Sequence, residues 1–280
     1  MEQKKFWSTV WDLVKMGFAV IGSIWTVMEI FERYFPEWEF VEYGKSHIGV
    51  MIIPAVLVVA GMCVRLLYQE RVITFTIKGV QVKIQAGDML HKKKGLTVVG
   101  VNRQLNTKRE QIGETSIHKA VLDRYGQEKL DRAFERGSRQ VGAGRLFFQE
   151  KLEDWEFLFL CMSDLDENAA ASTTEELMKK ALDDLFSNQQ MLRVPKGRVY
   201  LPILGTGEGG FCLGKEETIQ FMIERLWNFQ RQVSGSSTVK IKKVQIVVYW
   251  KDCHEINWKQ LKEWAGKMGQ YCIECPNFNI

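Results

Sequence analysis

The sequence predicts an α/β fold, a central sheet with helices on both faces, behind an N-terminal transmembrane hairpin. Three observations carry that expectation. Residues 48–64, IGVMIIPAVLVVAGMCV, run seventeen positions without a charge. From residue 72 onward, short apolar or alternating runs give way repeatedly to stretches of helical period. Between one such run and the next helix lies a glycine-rich turn, LGTGEGG at 204–210. The composition fits a folded chain: 46% of the 280 residues are hydrophobic and 26% are charged, which excludes a disordered or low-complexity polymer. The 38 Lys and Arg against 34 Asp and Glu leave a charge of +4. That excess is small and not concentrated in one domain, and it does not point to nucleic acid.

Taken in order, the second apolar segment is the stronger span. Extended to Tyr68, with the Arg65 head reaching back to the interface, residues 48–68 are 21 positions long. At about 1.5 Å per residue they cross about 30 Å of hydrocarbon. The segment lacks the polar face of a buried soluble helix, and Pro54 is tolerated in a membrane helix. The first segment is shorter, an uncharged run of 13 residues at 16–28. Residues 13–31 cross only if Lys15 and Glu29 sit at the interfaces, where Trp7, Trp11, Phe31, Tyr34, Phe35 and Trp38 cluster. The alternative is an amphipathic helix lying on the membrane surface. No small-residue cleavage site follows, which argues against a removed signal peptide.

Charge placement orients the hairpin. Lys4, Lys5 and Lys15 precede the first segment, and Arg65 and Arg71 flank the end of the second. The linker carries Glu29, Glu32, Glu37, Glu39 and Glu42 against Arg33 and Lys45. The positive-inside rule then puts both termini in the cytoplasm. Residues 1–70 are expected to form a multi-pass anchor in the cell inner membrane, and residues 71–280 a cytoplasmic domain of ordinary size. Cys63, Cys161 and Cys212 sit in apolar or glycine-rich surroundings, as reduced thiols do. Cys272 and Cys275 with Cys253 and His254 make an irregular, weak match to a zinc site, and no metal is expected.

In the second part, VITFTI, a Lys-Gly turn and VQVKIQ alternate apolar and polar positions and read as a strand pair. LTVVGV at 96–101 and WEFLFLCM at 155–162 are continuous apolar runs, as buried central strands are. A helical stretch across 116–134 separates them. Thr173 and Glu176 read as a capping box opening a helix through Leu177, Ala181, Leu182 and Leu185. RVYLPIL at 198–204 is the next strand. After the glycine-rich turn, Ile219, Met222, Ile223, Leu226 and Trp227 keep helical spacing. VQIVVYW is the last strand, and 256–268 closes as a helix.

The turn at 204–218 carries the most chemistry. Small side chains between a buried strand and a helix N-terminus let backbone N–H groups surround an anion, and a diphosphate is the natural guest. Thr206 would add a hydroxyl donor, and Phe211 would lie over a ribose or base. The other reading is a turn that needs glycine only for positive φ. Gly205, Gly207 and Gly210 also satisfy GxGxxG, but late in the chain and without an acidic residue at the end of the next strand. Gly209 to Lys215 satisfies GxxxxGK, but Glu216 stands where Ser or Thr should hold magnesium. Two further loops follow strands. Asp88 after VQVKIQ-Ala-Gly can accept from an exocyclic amine, and Asn102 after LTVVGV can bind a ribose hydroxyl. Taken singly, each is also an ordinary turn or cap residue.

VKIQAGDM, VVGVN, PILGTGEGGF and VQIVVYW, in that order across about residues 72–255, resemble a macro domain, the ADP-ribose-binding α/β sandwich of three layers around a mixed sheet. More narrowly, the architecture is similar to the macro-domain effectors of Thoeris antiphage defence, which join two membrane helices to a cytoplasmic macro domain. The resemblance implies that Asp88, with the Met89 backbone beside it, reads the adenine amine and that Asn102 contacts the terminal ribose. It implies that Gly205, Thr206, Gly207, Glu208, Gly209, Gly210 and Phe211 cradle the diphosphate. Trp250 is a candidate to stack on adenine. The family's Asn-Ala-Ala-Asn and the following glycines are missing after Val101. Ser116, Ile117 and His118 are expected to form that wall instead, which argues against hydrolysis and for a pocket shaped to a modified ADP-ribose.

The resemblance further implies a sensor-effector without a cofactor or catalytic residue. A partner TIR enzyme makes an ADP-ribose-derived signal, such as histidine-ADP-ribose. The macro domain binds it, the chain forms a homo-oligomer, and its segments in the lipid bilayer disrupt the membrane in abortive antiphage defence. The alternatives are a membrane-anchored ADP-ribosyl hydrolase, using His118 or Glu208 as base, and a scaffold binding proteins through charged faces such as Lys92-Lys93-Lys94. For the first, no third group is in evidence to orient a base.

Overall fold

The computed structural model describes residues 71–273 apart from 92–93, 110–111, 115, 166–170, 207–209 and 233–239, together with scattered positions from 15 to 61. The chain forms two compact units, Met1–Glu70 and Arg71–Ile280. In the first, the described positions from Lys15 to Tyr34 are helical. Ser23 Oγ donates to the Ala19 carbonyl at 2.8 Å and Thr26 Oγ1 to the Gly22 carbonyl at 2.9 Å, one turn back in each case. The expected spans 13–31 and 48–68 and the acidic linker fall largely outside the described residues. Among the described residues no helix is long and apolar enough to cross a membrane.

The second unit alternates strands and helices. β1 (Val72–Ile77) and β2 (Val80–Ala86) form a hairpin. Its two turn residues, Lys78 and Gly79, both have positive φ, at 43° and 85°. That backbone twist matches the twist of the paired strands. β3 (Leu96–Asn102) is followed by α1 (Ile117–Tyr125) and α2 (Gln127–Gly142), then by the hairpin of β4 (Phe147–Leu152) and β5 (Trp155–Leu165). A short β6 (Ala171–Ser172) pairs with the end of β5. α3 (Glu175–Ser187), β7 (Arg198–Pro202), α4 (Lys215–Gln232), β8 (Lys243–Val248) and α5 (Trp258–Ile273) complete the unit.

The strand order is β1-β2-β8-β7-β3-β5-β4, with β2, β8, β7, β3 and β5 mutually parallel and an antiparallel strand at each edge. This is the expected mixed sheet. Side-chain alternation splits the core in two. On one face Val98, Leu158, Leu160, Leu201 and Ile246 pack against α3, α4 and α5 through Leu182, Met222 and Leu261. On the other, Val99, Val101, Phe157 and Phe159 pack against α1 and α2 through Leu122, Leu130 and Phe134. The unit therefore has its own core on each face, as an independently folding domain requires.

Two local expectations are corrected, and one strand is added. The helix expected across 116–134 is two helices, because Gly126 at φ 83° and ψ 157° leaves the helical region between them. The cap of α3 is Thr174, not Thr173: Thr174 is extended, and its Oγ1 accepts from Leu177 N at 3.2 Å. Three residues beyond that cap stands Leu177 instead of an acid, so no capping box closes. β4 has no counterpart in the sequence reading. FFQEKL looks polar, and its turn places Glu153 at φ 56° without glycine or asparagine.

Candidate functional site

The parallel strands run in one direction and end at one edge of the sheet, and a cavity of about 730 Å³ opens there. Its position follows from topology. The chain leaves β3 through α1 and α2 on one face to reach β5, and leaves β7 through α4 on the other face to reach β8. Between β3 and β7 the connections depart in opposite directions, which opens a crevice at the strand ends. The two strands pair at Leu96–Val199 and Thr97–Tyr200 and no further, whereas β7 pairs with β8 along its whole length. Pro202 at the end of β7 has no N–H to offer β3.

The loop after β2 is pinned by Gly87 N donating to the Val248 carbonyl at 2.8 Å. Asp88 Oδ1 accepts from Leu90 N at 2.8 Å, which starts the 3-10 turn Met89–His91, and Oδ2 lies 2.9 Å from His91 Nδ1. A carboxylate has about four acceptor sites, so lone pairs remain for another donor. Met89 is buried against Tyr200, Val247 and Ile117, which fixes its backbone at the cavity floor. Asp88 and Met89 both line the cavity.

Across the crevice, a register shift between Val101 and Asn102 turns Asn102 toward the cavity. Its side chain is buried, and Oδ1 accepts from Asn106 N at 3.0 Å, leaving the amide NH₂ as donor. Ser116 caps α1 by accepting from Lys119 N at 3.1 Å, and Ser116, Ile117, His118 and Lys119 follow along the wall. His118 stacks on Phe134 at 5.4 Å, and burial lowers its pKa to about 4. It is therefore neutral at pH 7. Lys119 is buried beside Glu114, whose Oε1 takes one ammonium hydrogen at 2.9 Å; that contact holds the Glu114 carboxyl below its ordinary pKa.

The glycine-rich wall is held by its main chain. Gly205 has φ 76°, and its carbonyl accepts from Phe211 N at 3.1 Å. A Cβ there would lie 2.8 Å from Phe211 Cβ and 2.9 Å from Met178 Cε, so glycine is required on both counts. Thr206 lines the cavity, but its hydroxyl donates to the Ile203 carbonyl at 3.1 Å and so braces the loop. Gly207, Glu208 and Gly209 lie outside the described residues. Gly210, at φ 56°, is exposed and away from the lining. Phe211 is not placed over the cavity: its side chain is buried in the core with its ring 5.9 Å from Phe221. Its role is to anchor the returning chain.

Several lining residues have no binding role in the sequence reading. Lys215, at the start of α4, lines the cavity while bridging Asp252 at 2.6 Å and Glu255 at 2.9 Å. Burial pulls its pKa down, but those two contacts outweigh it and the net shift is upward. Thr173, Met162 and Ser163 line the side toward β5 and β6. At the end of β8 it is Tyr249, half exposed, that reaches the rim, and Trp250 lies outside the lining. Among the described residues no group of His, Cys, Asp and Glu is arranged to hold a metal. Cys253 donates to the Tyr249 carbonyl at 3.4 Å, and Cys275 is outside the described residues.

No curated protein sequence matches the chain. Among solved structures, an Oceanobacillus iheyensis macrodomain with ADP is 16% identical, with a TM-score of 0.50 over 70% of this chain and 97% of that one. A mutant of the same macrodomain gives 16% identity and a TM-score of 0.50 over 70% and 98%. The family described as "Thoeris protein ThsA, Macro domain" matches residues 82–249, from β2 through Tyr249, which takes in all of the cavity lining except Lys251 and Asp252. The chain belongs to the Thoeris ThsA macro-domain family.

Proposed function

We propose that the cavity senses an ADP-ribose-derived signal and that the chain is a membrane-anchored effector of antiphage defence. The observation that carries this reading is the crevice between β3 and β7. It puts an acceptor for an exocyclic amine at Asp88, a donor at Asn102 and a glycine-restricted backbone turn at Gly205 around about 730 Å³. That volume is in the range that holds nucleotide-sized ligands. In this reading adenine sits at Asp88 and Met89, the diphosphate lies along Gly205 and the turn that follows, and the terminal ribose meets Asn102 and Ser116. The signal is made by a partner TIR enzyme, with histidine-ADP-ribose as the specific candidate. Binding favours an oligomeric state of the chain, and the segments at 13–31 and 48–68 then disrupt the bilayer; a signal drives such a change only through tighter binding to the assembled state.

Binding without turnover is the favoured reading over hydrolysis. His118, the candidate base among the described residues, is buried against Phe134 with its Nε2 atom unpartnered, and no acidic group orients it. Calorimetry on residues 71–280 with ADP-ribose, its histidine conjugate and NAD, followed by product analysis, tests the proposal. Binding of an ADP-ribose form with its bonds intact is the expected result. Turnover would make the chain a hydrolase, and silence from all three probes would remove the ADP-ribose reading.

A further inference from the structure

The edge of the sheet opposite the cavity gathers cations that the proposed function does not use. Arg198 begins β7 and Lys243 begins β8, and the register of the two strands sets them side by side. Lys83 on β2 pairs with Gln245, two residues beyond Lys243, and so lies diagonally from Lys243 on the same face. That face points away from the core of Val82, Val199 and Val244. The segments 188–202 and 238–248 that build this edge contain Arg193, Lys196, Arg198, Lys240, Lys242 and Lys243, and no Asp or Glu. Lys242 N donates to the Gly197 carbonyl at 2.7 Å and ties the two segments together.

Two of these cations are engaged within the fold: Arg193 lies 3.3 Å from Glu156, and Lys240 donates to the Gln190 and Leu192 carbonyls. Arg198 and Lys243 are partly buried, and among the described residues neither pairs with a carboxylate. The Arg198 Nε is buried without a partner, and Nη1 reaches only the Tyr200 hydroxyl, at 3.4 Å. Burial, and then the charges of Arg198 and Lys83, push the Lys243 ammonium below its ordinary pKa. A Cβ on Gly95 would lie 2.6 Å from Tyr200 Cε2 and 2.7 Å from the Arg198 carbonyl oxygen, so the chain runs against the cluster and brings exposed Lys94 to its border. Like charges held together and partly removed from water are unfavourable until an anion joins them. A guanidinium fork beside an ammonium suits the oxygens of a phosphate.

We infer that Arg198 and Lys243, bordered by Lys83, form a second anion site that takes a phosphate group, separate from the cavity. None of the three lines the cavity, so the inference stands apart from the ADP-ribose reading. The phosphate can belong to a soluble compound or to a lipid headgroup, and its recognition is the same in both.

Inorganic phosphate titrated into residues 71–280, with ADP-ribose at saturation and ionic strength held with chloride, tests this. Phosphate should raise the melting temperature where chloride does not. Lys243→Met and Arg198→Gln should each lower phosphate affinity about tenfold, as loss of a charged hydrogen bond does, with ADP-ribose affinity within about twofold of wild type. Without phosphate, Lys243→Met should melt no lower than wild type, because it keeps the stem and relieves the repulsion, so a loss of binding is not a loss of folding. Arg198→Lys keeps the charge without the fork and should lower affinity about threefold. Vesicles of phosphatidylcholine with and without phosphatidic acid locate the source. Sedimentation that needs phosphatidic acid, is reversed by free phosphate and is lost in Lys243→Met assigns a lipid headgroup. Phosphate binding without sedimentation assigns a soluble phosphate compound. Equal effects of phosphate and chloride, or phosphate affinity unchanged in both Lys243→Met and Arg198→Gln, overturn the site.

Discussion

The two walls of the cavity are built differently. On the β7–α4 side the main chain does the shaping: Gly205 at φ 76° lies so close to Phe211 and Met178 that no Cβ fits. On the β3–α1 side buried side chains line the space, with Asn102, His118 and Lys119 all under a tenth exposed. A backbone wall fixes shape and rejects any added atom. A side-chain wall fixes chemistry, and tolerates a replacement of equal volume. In the proposed function the first wall receives the part common to all ADP-ribose compounds, and the second discriminates among what is attached.

The contrast breaks most visibly at Gly205. Gly205→Val combines a positive φ, worth about 1–2 kcal/mol against an L-residue, with overlap worth about 1–3 kcal/mol. The melting temperature of residues 71–280 should fall by roughly 6–12 °C, with ADP-ribose binding lost. A calorimetric scan showing a fall of less than about 2 °C, with binding intact, would mean that this wall is not set by its backbone.

His118 gives the opposite wall a pH signature. Its pKa in the folded chain, about 4, lies below the ordinary 6.5. Between those values the unfolded chain takes up a proton that the folded chain does not. The contribution to stability is therefore complete above about pH 6.5 and declines as pH falls toward 4, by about 2–3 kcal/mol at pH 4.5. Urea unfolding at pH 7 and 4.5 should show that extra loss in wild type and not in His118→Gln. Parallel losses in both proteins would mean that the imidazole is already solvated.

Asp88 sharpens the comparison from the adenine end. Asp88→Ala removes the acceptor for the exocyclic amine and the cap on Leu90 N. Affinity for ADP-ribose should fall about tenfold or more, as loss of a hydrogen bond to a charged group does. The analogue with hypoxanthine in place of adenine should bind the variant and wild type within about threefold of each other. Discrimination between the two bases that survives the substitution would assign the amine to another residue.

Legibility in the sequence follows how far each feature depends on distant packing. LTVVGV, WEFLFLCM and VQIVVYW read as central strands because β3, β5 and β8 are covered on at least one face along their length and use apolar residues almost throughout. β4 was hidden because its polar residues, Gln149, Glu150 and Lys151, dilute the pattern of an edge strand. Asp88, Asn102 and Gly205 stood out because short polar or glycine residues after strands have few local uses. Lys119 and Lys215 did not, since a lysine reads as surface until tertiary packing closes over it, and Thr173 did not because a threonine before a helical run reads as a cap. Phe211 shows the converse: an aromatic beside a ligand loop looks like a stacking platform, yet its side chain is packed in the core.

The smallest expected effect tests how the side-chain wall is held. Ser116 accepts from Lys119 N at the start of α1, so it fixes the helix turn that presents both His118 and Lys119. Ser116→Ala should cost about 1 kcal/mol and lower the melting temperature by about 2–4 °C. The fraying that follows is confined to the first turn of α1. Affinity for ADP-ribose, whose terminal ribose meets Ser116 in the proposed function, should decline by about twofold to fivefold, and affinity for a probe with an added anion, such as the histidine conjugate, by at least as much. Ser116→Asp keeps the capping acceptor and places a negative charge beside Lys119, so it should restore the melting temperature without restoring affinity for the anionic probe. Recovery of both by aspartate would show that only helix geometry, and not the charge at this wall, governs that affinity.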